Sequence, residues 1–191
     1  FLKKGRDLDV SLTGGPPFLR VDSRPDPDPA RLFYGKSYIY PLFASPFVAI
    51  LGTNGFLAFH ALLIGLVILA GYLFLNARSS PAVSLLLASG FLMASVVPTY
   101  FVWITPELFN FSLVTLGYFC WLYKEVTPRA LAPRGTRWLC APASDLAAAA
   151  LLAVATFSKP SNLLLVLPLL LWLALRRQWR RAITAGLVFA A

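Results

Sequence analysis

Long apolar runs alternate with short polar breaks along most of this chain, and the breaks carry nearly all of its charge. A helix needs roughly 20 mostly apolar residues to cross about 30 Å of hydrocarbon. On that measure residues 54–76, bounded by Arg78, predict a first span, and residues 82–104, with Pro98 near the end, a second. Residues 107–123 predict a shorter third, closed by Lys124 and Glu125. Residues 144–157, extending back to Trp138, predict a fourth. Residues 162–175 predict a fifth, stopped by Arg176-Arg177-Gln178-Trp179-Arg180-Arg181, and another opens at Ala182. Flanking residues or local bilayer thinning complete the short ones. The expected fold class is all-α, a polytopic transmembrane helix bundle over residues 47–191 with about five complete spans and a truncated sixth.

Residues 1–46 follow another pattern. They hold Gly14-Gly15-Pro16-Pro17 and the run Arg24-Pro25-Asp26-Pro27-Asp28-Pro29. Proline at every second position removes backbone donors and forbids a regular helix. This segment is expected to be an extramembrane loop, with a short juxtamembrane helix near residues 38–50 lying along the membrane surface.

Composition agrees with the pattern. The chain is 58% hydrophobic and 13% charged, with a mean hydropathy of +0.71. Soluble domains are about a quarter charged. A chain this poor in charge lacks the solvated coat of a globular surface, whereas a lipid-facing surface needs none. The first residue is Phe1, and residues 184–191 break off inside an apolar run, so the chain is expected to be a fragment of a longer one. Cys120 and Cys140 are too few for a disulfide framework and lack metal-site spacing. Both read as small apolar fillers.

The charge distribution assigns sides. After residue 46, one alternate set of loops carries Arg78, then Lys124, Arg129, Arg134 and Arg137, then the four arginines of 176–181. The other set carries only Lys159. Basic loops stay in the cytoplasm, which places residues 1–46, the Thr105-Pro106-Glu107 turn and the Ser158-Lys159-Pro160 turn together on the outer face. The loop 1–46 holds seven of the 17 Lys and Arg residues, many for an outer loop, and its length offsets part of that objection. The net charge of +9 would suggest nucleic acid in a soluble protein. Here no nucleic-acid module is present and topology control explains the arginines.

Three polar features converge on the outer face. The run Tyr34-Gly35-Lys36-Ser37-Tyr38-Ile39-Tyr40-Pro41 is aromatic and basic; Glu107 opens a span just after Pro106; and Lys159 precedes Pro160-Ser161-Asn162. A carboxylate at the membrane edge needs a partner or a task, although an acid at a helix start also suits the helix dipole. Lys159 reads equally as an interfacial lysine whose stem reaches the headgroups. The tyrosines around Lys36 read equally as an aromatic belt. His60, inside the first span, has no accompanying ligand and reads as an interhelical hydrogen bond. Ser144 and Asp145 read as helix-start caps. Asp26 and Asp28 read as a solvated turn. No P-loop, GxSxG, CxxC or HExxH pattern occurs.

Four of these stretches together resemble bacterial GT-C glycosyltransferases. These are membrane enzymes that use polyprenyl-phosphate sugars and are related to aminoarabinose transferases and protein O-mannosyltransferases. The stretches are Gly5-Arg6-Asp7-Leu8-Asp9-Val10, the Tyr34 to Pro41 run, the Thr105-Pro106-Glu107-Leu108-Phe109-Asn110-Phe111 turn and the run from Lys159. The resemblance implies a multi-pass protein of the bacterial inner (plasma) membrane. It would move a sugar, with inversion, from a lipid-linked donor to a glycan, lipid or protein acceptor, with a divalent metal as candidate cofactor. It implies a second acidic position at Glu107, catalytic and metal-binding. Lys36 and Lys159 would contact the lipid phosphate, and Tyr34, Tyr38 and Tyr40 would line the pocket. The family's principal aspartate would lie before Phe1, and Asp7 and Asp9 do not take its role. A transporter or lipid flippase is the alternative expectation, and a noncatalytic membrane scaffold a third.

Overall fold

The computed structural model describes residues 19–21, 32–34 and 37–191. Apart from one small ribbon, every described element is helical. The ribbon pairs β1 (Leu19–Val21) antiparallel with β2 (Leu32–Tyr34), with Leu19 opposite Tyr34 and Val21 opposite Leu32. It falls inside the segment expected to be an irregular loop. The Asp-Pro run between the strands lies outside the described residues, as do residues 5–10.

The helical part begins earlier than the predicted boundary at residue 47. Helix α1 (Ile39–Leu51) is followed by a 3-10 turn, Gly52–Asn54, and by α2 (Gly55–Leu75). The stretch Ile39–Leu75 has a mean hydropathy of 2.3 over its most apolar window and is the one continuous helical stretch, among the described residues, long and apolar enough to cross a membrane. It is not one rod. Tyr40 Oη lies 2.8 Å from His60 Nε2, whereas twenty residues of straight helix would separate them by about 30 Å. The chain turns back at Gly52, whose φ of 61° lies in the left-handed region that favours glycine. The spanning length therefore belongs to α2, whose 21 residues rise about 31 Å.

Helix α1 crosses the end of the bundle. Its Tyr40 and Phe43 meet Phe109 at the start of α5 (Pro106–Val126), at ring separations of 5.8 and 5.4 Å. Tyr38, just before it, meets Phe157 at the end of α6 (Ala143–Ser158). The close crossing depends on Gly55: a Cβ there would sit within the backbone of Phe47 and Val48.

Helices α5 and α6 are antiparallel neighbours. Asn110 meets Ser158 at one end, and Lys124 meets Ser144 and Asp145 at the other. Small residues allow the approach: a Cβ on Gly117 would come within 3.2 Å of Leu152, and Ala148 and Ala149 are fully buried. Packing of this kind is how helices associate where lipid removes the hydrophobic drive.

Two predicted spans are interrupted. Residues 82–104 form α3 (Pro81–Met93) and α4 (Val97–Val102), separated by a turn. Ser95 Oγ takes the Val97 N–H at 3.2 Å and starts α4 afresh, and Pro98 in its first turn cannot continue a ladder from α3. Residues 162–175 begin as a 3-10 segment, Pro160–Val166, and become α-helical only in α7 (Leu167–Leu175), with Pro168 at its start. The backward extension of the fourth span is a separate 3-10 turn, Arg134–Cys140, bent by 82° from α6. Helix α8 (Trp179–Ala190) follows. Leu86, Phe91, Leu164, Leu175 and Leu187 are all exposed, a surface that water penalises and hydrocarbon does not.

His60 is fully buried. Its Nδ1 lies 3.0 Å from the Phe101 carbonyl, which only accepts, so Nδ1 carries the proton and Nε2 accepts the Tyr40 hydroxyl. The imidazole ties α1, α2 and α4 together, as the sequence suggested for it. Tyr40→Phe leaves Nε2 unpaired in the core and is expected to cost about 1–2 kcal/mol. Thermal unfolding of the purified protein in detergent checks this, and an unchanged midpoint would remove the bond from the account.

Candidate functional site

The residues leading into α1, the start of α5, the end of α6 and the 3-10 segment after it meet at one end of the bundle. A cavity of about 350 Å³ opens there, lined by Ser37, Pro106, Glu107, Asn110, Phe157, Ser158, Lys159 and Pro160. Two residues singled out from the sequence, Glu107 and Lys159, thus share one cavity. Ser37 stands on its wall, next in sequence to Lys36, which lies outside the described residues.

Helix α5 places Glu107 through Pro106, whose fixed φ suits a first helical position and whose missing N–H is no loss there. Glu107 then falls in the first turn. It does not cap that turn: Glu107 Oε2 is buried without a hydrogen-bond partner, as is Thr105 Oγ1 beside it. The other two described acids are both consumed. Glu125 receives Arg176 at 3.2 Å, and Asp145 receives Lys124 and Arg181. Lys159 ends α6 in an extended conformation and is exposed. No ion pair joins it to Glu107, so a carboxylate and an ammonium face the same space without neutralising one another.

The cavity floor is a polar clamp that the sequence reading missed. Asn110 Nδ2 donates to the Pro106 carbonyl at 2.9 Å and to Ser158 Oγ at 3.0 Å. Asn162 Nδ2 donates to Asn110 Oδ1 at 3.2 Å and to the Ala155 carbonyl at 2.9 Å. Both amides use both protons, which fixes their orientation and locks α5, α6 and the 3-10 segment around the cavity. The signal was available: each asparagine lies three residues after Glu107 or Lys159, in the same short runs.

The tyrosines separate. Tyr40, expected in the pocket, points into the core and is not among the residues lining this cavity: aromatic packing against Phe56, Phe59 and Phe109 and the bond to His60 hold it inside. Tyr38 is 62% exposed and stacks edge-on against Phe157 at 5.4 Å. It lines a neighbouring, mostly apolar groove of about 650 Å³ with Leu42, Val154 and Phe189, and this groove shares Phe157 and Pro160 with the first cavity. Tyr34 closes β2.

Among the described residues no three His, Cys, Asp or Glu side chains gather where they could hold a metal ion. Glu107 is the one acid among the described residues that line this cavity.

Fold and site together define a helical protein with a membrane-capable stretch and a polar cavity at one end of its bundle. No protein family, curated protein or solved structure matches this chain.

Proposed function

We propose that the chain is part of a multi-pass membrane glycosyltransferase that moves a sugar from a polyprenyl-phosphate carrier to an acceptor at the end of the bundle holding Glu107 and Lys159. One observation carries the reading: an unpaired, partly buried carboxylate and an unpaired ammonium line a single cavity beside an apolar groove. That combination suits a ligand with a hydrocarbon tail, a phosphate and a hydroxyl-rich head. The tail would lie in the Tyr38–Phe157 groove. Lys159 would bind the phosphate, and Glu107 would accept a hydrogen bond from the acceptor.

In the transfer, the acceptor oxygen or nitrogen attacks the anomeric carbon. The bond from that carbon to the carrier's phosphate oxygen breaks, and its electron pair leaves with the phosphate. Lys159 offsets the charge that develops there. Glu107 orients the nucleophile, whose proton passes to a base supplied outside the described residues. Multi-pass insertion belongs to this proposal: α2 spans by itself, and the interrupted pairs α3–α4 and 3-10–α7 complete their crossings with broken helices.

Those interruptions also favour a second reading. Transporters bind substrates where spanning helices are broken, so flux of a lipid-linked sugar across proteoliposomes without transfer would support a flippase instead. The direct test is Glu107→Gln in the full-length protein, assayed with a labelled lipid-linked sugar. Transfer is expected to fall about 100-fold while membrane insertion and the unfolding midpoint hold. Undiminished transfer would remove Glu107 from the site.

A further inference from the structure

At the end of the bundle opposite the Glu107 cavity, nine basic residues face two acids, Glu125 and Asp145. Both acids are already engaged, Glu125 by Arg176 and Asp145 by Lys124 and Arg181. Arg176 is further held over the Trp172 ring, 4.3 Å from its centroid. Of the four arginines at the α7–α8 junction and in the first turn of α8, this leaves Arg177 and Arg180. Both are exposed, and neither side chain has a partner among the described residues.

Their surroundings are those of a membrane interface. Trp179 stands between them and is 60% exposed. Ile183 and Leu187 follow it at four-residue intervals along α8 and are exposed as well, so residues 179, 183 and 187 form one apolar stripe on the helix. A basic collar with an indole at the top of an apolar stripe matches a lipid in outline: a charged headgroup above hydrocarbon chains. A nucleic acid would find the two arginines but gain nothing from the stripe.

We infer that Arg177, Trp179 and Arg180 form a docking surface for the headgroup of an anionic phospholipid, whose acyl chains lie along the Trp179–Ile183–Leu187 stripe. The surface requires α8 to sit beside lipid. It does not require sugar transfer, so loss of that activity leaves it untouched.

The test uses the full-length protein in an uncharged detergent, with phosphatidylglycerol and phosphatidylcholine added in equal amounts and retention read by native mass spectrometry. Phosphatidylglycerol is expected to be retained preferentially. Each basic residue near an anionic surface contributes about fivefold, so R177Q with R180Q is expected to weaken retention about 25-fold. Replacing both by lysine keeps the charge and should keep most of the retention. R129Q with R134Q removes the same charge from the loop at this end and is expected to change retention by less than about threefold. Equal retention of the two lipids, or equal loss from the two glutamine pairs, would overturn the inference. So would displacement of phosphatidylglycerol by a short oligonucleotide.

Discussion

Asp145→Ala is expected to destabilise the protein by about 3–5 kcal/mol, the range found when one member of a buried ion-pair network is removed. Asp145 is 1% exposed and receives cations from two helices: Lys124 near the end of α5, and Arg181 near the start of α8, whose Nε lies 3.1 Å from Oδ2. The same carboxylate sits in the first turn of α6, where the helix dipole adds to its stability. Truncation leaves Lys124, whose side chain is 14% exposed, and Arg181 facing each other with nothing between them. The loss therefore exceeds the value of either contact alone, because the part-buried Lys124 and Arg181 lose their shared counter-charge at once. A second variant separates this mechanism from simple loss of packing. In a background of Lys124→Met and Arg181→Met, Asp145→Ala should cost far less, since no cations remain to be stranded. Equal costs in the two backgrounds, read by thermal unfolding in detergent, would show that charge is not what holds these helices.

The second large effect concerns the crossing of α1 over the bundle end. Gly55→Ala is expected to cost about 3 kcal/mol, at the upper end of overpacking losses. The added methyl would meet the Phe47 carbonyl and the Val48 nitrogen, and backbone cannot swing aside as a flexible side chain can. Relief requires α1 to lift, which pulls Tyr40 from His60 and Phe109. Gly90→Ala is the control. It lies in the middle of α3 with nothing near a new Cβ, so it should be neutral or gain a few tenths of a kcal/mol from helix propensity. If both alanines behave alike, α1 does not cross where the geometry puts it.

Several features were legible in the hydropathy pattern alone. The limits of α2 follow from the apolar run and fall within a residue of the expected ones. Pro106 and Glu107 marked the start of α5, because proline fits the first helical turn and an acid suits it. The second and fifth runs were expected to be continuous, although Pro98 and Pro168 left broken spans open as the alternative. Proline inside an apolar run signals either a kink or a stop, and whether a serine such as Ser95 supplies a new start depends on neighbouring helices. The double strand in the first 46 residues was hidden for a similar reason. Three-residue strands carry too little alternation to register.

The sequence by itself determined which segments are apolar, and its charge pattern led to the expectation that Glu107 and Lys159 belong together, at the one cavity they share. The tertiary structure alone decided that Tyr40 turns inward to His60 and that Asn110 and Asn162 clamp the cavity floor. It alone decided that Asp145 is spent on two cations while Glu107 is not. The physical reason is range. Hydropathy is summed along the chain, where local order is enough. Whether a polar group is paired depends on partners that folding brings together from 20 to more than 50 positions away.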